Sequence, residues 1–334
     1  EDKNILGGKG ANLAEMTQIG IPVPPGFTIS TEVCTHFMEN KSYPENFENE
    51  VKEGLSFVEE ILGQNFGDEK NPLLVSVRSG ARQSMPGMME TVLNIGLTEK
   101  TIPGLIKKSG DARFVYDAYR RLITMYSDVV MEKSNPNLTA EQTGIREHLE
   151  DILENFKKSK SAKLDTDLNA DDLKEICSLY KKEINEFLGM EFPNNPYEQL
   201  WGGIGAVFIS WNGKRAVKYR EIENIPHEWG TAINVQTMVF GNMGESSATG
   251  VAFTRNPATG ENEFYGEWMV NAQGEDVVAG IRTPNPLNEA SKTTEYKKLK
   301  TLEESNPEIY AELMEYRQKL ETHYKDIQDI EFTI

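Results

Sequence analysis

Cysteine is scarce in this chain. Cys34 and Cys177 are the two thiols in 334 residues, too few for a disulfide framework or a cysteine-rich zinc site, so a reducing compartment is the default expectation. Histidine is nearly as rare: His36, His148, His227 and His323 are scattered without paired ligand spacing, which argues against an imidazole-built metal centre. Positive charge is in deficit. Lys and Arg total 35 against 53 Asp and Glu, a formal net charge of −18, and such a balance disfavours a broad nucleic-acid or anionic-membrane surface while leaving room for a local basic site. No apolar run approaches the ~20 residues of a membrane span. The start, Glu1-Asp2-Lys3-Asn4, lacks the basic-then-apolar order of a signal peptide.

What the chain does have is enough apolar material for a core. Hydrophobic residues make up 38% and charged residues 26%, as in folded globular proteins, and the length suggests about two compact units of ~150 residues. Residues 1–98 mix Gly/Pro turns with short strand and helix signals. Leu73 to Arg78 alternates, with Val75 and Val77 on one side and Ser76 and Arg78 on the other, so Arg78 is expected to end a strand. Residues 99–200 change character and carry three amphipathic helical patterns, through Val115–Val129, Ile145–Phe156 and Leu173–Leu188. Asn169 is the expected N-cap of the third, with Asp172 at the third helical position. The Lys157–Lys163 cluster reads as a solvated loop. From 201 onward strands return around Ile233–Val239, Val251–Phe253 and Phe264–Val270, then a charged helical segment at 303–326 and a last strand pattern at Gln328–Ile334. The chain starts without Met and stops inside that pattern, and it reads as a piece of something longer. The expected plan is α+β, with α/β lobes at 1–98 and 201–334 and a helical subdomain at 99–200.

Three constellations could carry chemistry. Gly7-Gly8-Lys9-Gly10 lets a backbone approach an anion closely and adds a charge that reaches a phosphate oxygen, although its spacing is not the Walker pattern and a plain glycine turn with a surface lysine fits as well. Arg78 and Arg82, in Ser76-Val77-Arg78-Ser79-Gly80-Ala81-Arg82, can present two planar forks to a polyphosphate or simply pair with carboxylates. Asp329 and Glu331, two apart on one strand, share a face. Such a pair suits Mg²⁺, a hard ion usually held together with bound phosphates, or forms the solvated side of an amphipathic edge strand. Glu267 and Glu275 lie beside glycines, where they could hold ribose hydroxyls or metal or accept turn N–H groups. Met85, Met88 and Met89 sit in a Pro/Gly loop, suited to partner packing or to local core.

Together these segments resemble one family: the nucleotide-binding N-terminal domain of the pyruvate, phosphate dikinases. The matching strings are Leu6-Gly-Gly-Lys-Gly-Ala-Asn-Leu-Ala-Glu-Met16, Pro24-Pro-Gly-Phe-Thr28, Leu73-Leu-Val-Ser-Val-Arg-Ser-Gly-Ala-Arg82 and Ser84-Met-Pro-Gly-Met-Met89, then Val235-Gln-Thr-Met-Val-Phe-Gly241, Thr249-Gly-Val-Ala-Phe-Thr-Arg-Asn-Pro-Ala-Thr-Gly-Glu261, Asn271-Ala-Gln-Gly-Glu-Asp-Val-Val-Ala-Gly280 and Gln328-Asp-Ile-Glu-Phe-Thr-Ile334. The resemblance spans nearly the whole chain and is weakest between about 133 and 200.

The resemblance implies an ATP-grasp-like fold, two lobes clamping ATP with an inserted helical subdomain. It implies a phosphotransferase that turns ATP, phosphate and pyruvate into AMP, pyrophosphate and phosphoenolpyruvate through a phosphohistidine on a swivelling domain. By motif, Lys9 and Arg78 match ATP-phosphate ligands with catalytic weight, Asp329 and Glu331 match the Mg²⁺-side acids, and Glu275 sits in the family's Gln-Gly-Glu-Asp string. Arg82 and Glu267 are added as nucleotide-site candidates, the latter near the face expected to dock the swivelling domain. Implied too are Mg²⁺, a monovalent cation and homo-oligomerisation in the full-length enzyme, partners in the swivelling domain and a pyruvate-binding barrel, and a cytoplasmic or organellar setting. The family's last strand continues into a Gln-Thr-Arg-Asn-Gly stretch with nucleotide ligands that this chain lacks, so an incomplete reaction is expected of it. Rival readings are a phosphoenolpyruvate synthase-like or glucan dikinase-like domain, and a non-catalytic acidic docking module.

Overall fold

The computed structural model describes residues 2–134, 144–279, 282–292 and 297–334, and the chain divides into two compact units. The first comprises residues 1–15 and 23–238, the second residues 16–22 and 239–334. Both are mixed α+β, each built on a four-stranded antiparallel sheet.

The strands of the first unit are β1 (Gly26–Ile29), β2 (Asn65–Phe66), β3 (Pro72–Leu73), β4 (Val75–Ala81), β5 (Thr91–Ile95) and β6 (Thr231–Thr237). β2 and β3 form a small parallel pair, and the main sheet runs β1-β6-β4-β5. Its central strand β6 comes from the 201–334 stretch, whose later strands build the second sheet. The period-two alternation gives the sheet two unlike faces. Register places Phe27, Val235, Val77 and Val92 in one row, and Thr28, Asn234, Arg78 and Thr91 in the next row on the opposite face. Val77, Val92 and Ile233 are completely buried, and burying a side chain of that size is worth about 1.5–3 kcal/mol. Arg78 does not end its strand: β4 continues three residues further, because Ser79, Gly80 and Ala81 pair with Ile233, Ala232 and Thr231 of β6.

Among the described residues the α-helices here are α1 (Lys3–Gln18), whose residues from Met16 fall in the second unit, α2 (Thr31–Asn40), α3 (Phe47–Leu62), α4 (Ile102–Ser109), α5 (Ala112–Tyr126), α6 (Ile145–Lys160), α7 (Ala170–Leu188), α8 (Pro196–Ser210) and α9 (Lys214–Glu223). The three expected amphipathic stretches appear in α5 and its wider π-helical continuation Ser127–Glu132, in α6 and in α7. Asn169 caps α7 as expected: its Oδ1 accepts from the Asp172 N–H (3.0 Å), while Asp172 accepts from the Asn169 N–H (3.1 Å). The lysine cluster differs from expectation. Lys157 and Lys160 form the last turn of α6, where cations suit the negative helix end, and they pair with Glu154, Asp165 and Asp172 at 2.6–3.0 Å. Met85 is buried, so part of the Met-rich loop is local core.

The second unit contains β7 (Ala248–Phe253), β8 (Tyr265–Val270), β9 (Asn285–Pro286) and β10 (Asp329–Thr333), with helices α10 (Gly274–Ala279), α11 (Leu302–Ser305) and α12 (Pro307–Tyr324). Strand order is β10-β7-β8-β9. Ala248, Ala252, Phe264, Trp268, Leu287, Leu302 and Leu313 form its core, with Ile330 and Phe332 of β10 and Ile334 just beyond it packed against them. The alternation of β10 thus sends its apolar residues inward and leaves Asp329, Glu331 and Thr333 exposed. Among the described residues no helix is long and apolar enough to cross a membrane.

Candidate nucleotide site

In the first unit the glycine-rich segment belongs to α1, which kinks at Gly7 (φ 68°, ψ 171°). It lies on the sheet face that carries Arg78. A Cβ on Gly7 would overlap the Gly80 carbonyl oxygen, and one on Gly10 would stand 2.8–3.0 Å from Thr28 Cγ2, Thr28 Oγ1 and Asn234 Oδ1. These approaches are closer than any side chain tolerates, which is the physical need for glycine at both positions. The Lys9 Cβ lies 3.6 Å from the point where Gly80 would carry its own. The structure therefore brings the Lys9 segment onto the β4 strand of Arg78, two residues along the same face. Lys9 is exposed and Arg78 half-buried. Arg82 follows just beyond β4, its guanidinium 5.2 Å from the Trp229 ring centroid and its Nε buried without a hydrogen-bond partner.

Two residues of this face escaped the sequence reading. Thr28 Oγ1 donates to Asn234 Oδ1 (3.0 Å), and Asn234 is directly opposite both Thr28 and Arg78 in register. The available signal was an amide standing in the apolar alternation Ile233-Asn234-Val235.

The acidic candidates lie in the second unit. Asp329 and Glu331 share the exposed face of edge strand β10, and register continues the Glu331 row through Val251 to Glu267 on β8. Glu267 is thus on the same sheet face, two strands or about 10 Å away at the usual strand spacing. Burial pushes the Glu267 carboxyl above its ordinary value. Asp329 is pushed up as well, by partial burial and by the like charge of Glu331. Glu275 lies in α10, and its side chain is outside the described residues. No cluster of three or more His, Cys, Asp or Glu able to hold a metal occurs among the described residues. Two carboxylates on one face with no ion-pair partner among the described residues still fit Mg²⁺, which takes one or two carboxylates and completes its shell with water and phosphate oxygens.

The first unit thus seats a glycine segment with a lysine on an arginine-bearing strand, and the second places an acid pair on an edge strand; groups of these kinds are the ones that phosphate-binding domains use. The comparisons make the class particular. The profile of the family described as "Pyruvate phosphate dikinase, AMP/ATP-binding domain" matches residues 3–53 and 41–310, and the chain belongs to that family. Its relatives include the pyruvate, phosphate dikinase of Rhizobium meliloti, 53% identical over 100% of this chain and 36% of that protein. The pyruvate, phosphate dikinase of Clostridium symbiosum is 51% identical over 99% of the chain and 36% of its own length. The chloroplastic pyruvate, phosphate dikinase 1 of Arabidopsis thaliana is 52% identical over 99% and 32%. The chain thus spans about a third of the length of these curated relatives.

Proposed function

We propose that this chain binds Mg-ATP and performs the nucleotide half of a pyruvate, phosphate dikinase reaction within a longer protein. In that half, ATP and phosphate give AMP and pyrophosphate, and the β-phosphoryl group passes to a histidine on a swivelling domain. A pyruvate-binding barrel of the same protein then takes it to form phosphoenolpyruvate. The observation that carries the reading is the seating of the Gly7–Gly10 segment, with Lys9, on the strand face that bears Arg78. Phosphoryl transfer asks little covalent work of a protein: it needs cations against crowded phosphate oxygens and reactants held in line. Lys9 and Arg78 supply that charge with catalytic effect, and Arg82 adds a second fork restrained by Trp229. Asp329 and Glu331 hold Mg²⁺, which neutralises phosphate charge when bound. Glu267 and Glu275 are assigned to the nucleotide side of the second unit.

We assign an ATP-grasp-like fold, with the helices of 99–200 as an inserted subdomain between lobes at 1–98 and 201–334, β6 of the later stretch lying within the first sheet. We further assign the longer protein an intracellular setting, a homo-oligomeric state and a monovalent cation requirement, as the resemblance implies. The test is ATP-dependent phosphorylation of the histidine domain by the intact protein. Lys9→Ala and Arg78→Ala are expected to abolish most of it while the protein stays folded, and wild-type phosphorylation by either variant would overturn the assignment. Phosphate-dependent AMP formation is expected; AMP formation that ignores phosphate would instead indicate a relative that passes phosphate to water.

A further inference from the structure

Buried side-chain amides normally find partners for both ends. Gln199 does so: it is completely buried, its Oε1 accepts from the Gly96 N–H (3.0 Å), and its Nε2 donates to the carbonyls of Leu97 (2.8 Å) and Pro193 (3.0 Å). Asn234 does not. It is 1% exposed at the centre of β6, and its Oδ1 is engaged by Thr28, but its Nδ2 has no hydrogen-bond partner. A stranded buried donor costs folding free energy, and an apolar residue between Ile233 and Val235 would avoid that cost.

The surroundings give the amide a purpose. Asn234 Nδ2 lies 2.7 Å from the point where Gly80 would carry a Cβ, and Asn234 Oδ1 lies 3.0 Å from the corresponding point of Gly10. The carboxamide thus fills space that two glycines leave open, one in the segment carrying Lys9 and one in the strand carrying Arg78. It is also the direct cross-strand neighbour of Arg78. We propose that Asn234 is a positioning residue for the phosphate-binding groups. Its carboxamide accepts from Thr28 and packs into the space left by Gly10 and Gly80, an arrangement that keeps Lys9 and Arg78 on the same face, with its stranded N–H held against Gly80. The inference rests on the reading that Lys9 and Arg78 bind ATP phosphates.

The test is calorimetric titration of Mg-ATP into the intact protein carrying Asn234→Leu, Lys9→Ala, Arg78→Ala, or Asn234→Leu with Lys9→Ala. Asn234→Leu is expected to weaken Mg-ATP binding at least tenfold while the protein stays folded. Because Asn234 acts through the Lys9 segment, the double variant is expected to lose clearly less than the product of the two single losses. A folded Asn234→Leu protein with wild-type affinity, or losses that multiply in full, would overturn the proposal while leaving the ATP site standing. Wild-type affinity in both Lys9→Ala and Arg78→Ala would overturn the site itself, and the proposal with it. If Asn234→Leu does not fold, Asn234→Ser, which keeps a hydroxyl for Thr28 and removes the N–H, is read against the same outcomes.

Discussion

Each unit holds a carboxylate beside other charged groups, and the two carboxylates, Asp117 and Asp329, are shifted in opposite directions. In the first, Asp117 on α5 is 5% exposed and accepts from Arg120 Nε (3.0 Å), Arg120 Nη2 (2.7 Å) and Arg121 Nε (3.0 Å). Burial opposes its charge, yet the two guanidinium groups prevail and hold its pKa down to about 2. In the second unit Asp329 stands on an exposed edge strand beside Glu331, and burial and like charge together push it up. A carboxylate satisfied by fixed arginines holds a structure together. Asp329, with no cation partner among the described residues and a like charge beside it, is the kind of carboxylate that the proposed function assigns to an ion arriving from solution.

The largest expected effect lies on the satisfied side. Asp117→Asn leaves Arg120 and Arg121 short of a buried partner, and denaturant titration is expected to show a loss of about 3–5 kcal/mol. An unchanged midpoint would erase the contrast. The native interaction also has a pH signature. The folded pKa lies below the ordinary 3.8, so the stabilisation is fully present above about pH 4 and is lost as pH falls through about 2.

Next comes Arg78→Ala, expected to lower turnover of the intact protein by about 100-fold or more with little change in thermal midpoint, since Arg78 is half-buried and stands among polar neighbours. Backbone approach sharpens the comparison further. Gly7→Ala drives a Cβ into the Gly80 carbonyl at positive φ, with an expected cost of about 3 kcal/mol. Gly250→Ala in the second sheet, where φ is not positive, puts a Cβ against the Phe332 ring and 2.9 Å from the Glu267 carbonyl oxygen, and about 1–2 kcal/mol is expected because the closest of these contacts is a ring that can swing. Equal losses for these two glycine variants in parallel melts would contradict the expectation that a backbone clash at positive φ costs more than one a side chain can relieve.

The smallest effect concerns pH and metal. Because Asp329 is raised, Mg²⁺ dependence of nucleotide binding is expected to weaken, as pH falls, at a higher pH than an ordinary carboxylate would give. Glu331→Gln removes the like charge and is expected to move that midpoint down. A midpoint that moves up, measured by Mg²⁺ titration at a series of pH values, would refute the assigned cause.

Legibility followed sequence distance. The shared face of Asp329 and Glu331 needed only the two-residue period of a strand, and the Asn169 cap of α7 needed only residues three apart. Alternation puts Arg78 on the correct face but not at the correct distance from the strand end, because β6 supplies partners for Ser79, Gly80 and Ala81 from far along the chain. Lys157 and Lys160 belong to the helix rather than the expected loop, and their partners Asp165 and Asp172 lie across a turn, beyond the reach of the helical period. Thr28 and Asn234 could not be connected at all without the sheet.

The amino-acid order by itself determined the candidate groups for phosphate and magnesium, the alternation that sorts them from apolar neighbours, and the family to which the chain belongs. These follow from local periodicity and from motif strings, which need no third dimension. Only the tertiary structure decided that Gly10, Thr28, Gly80 and Asn234 meet under Lys9 beside Arg78. Strand pairing between residues 26–29, 75–81 and 231–237 sets that meeting, and pairing register is a property of the assembled sheet, fixed by burial of its Val/Ile face, that no single segment contains.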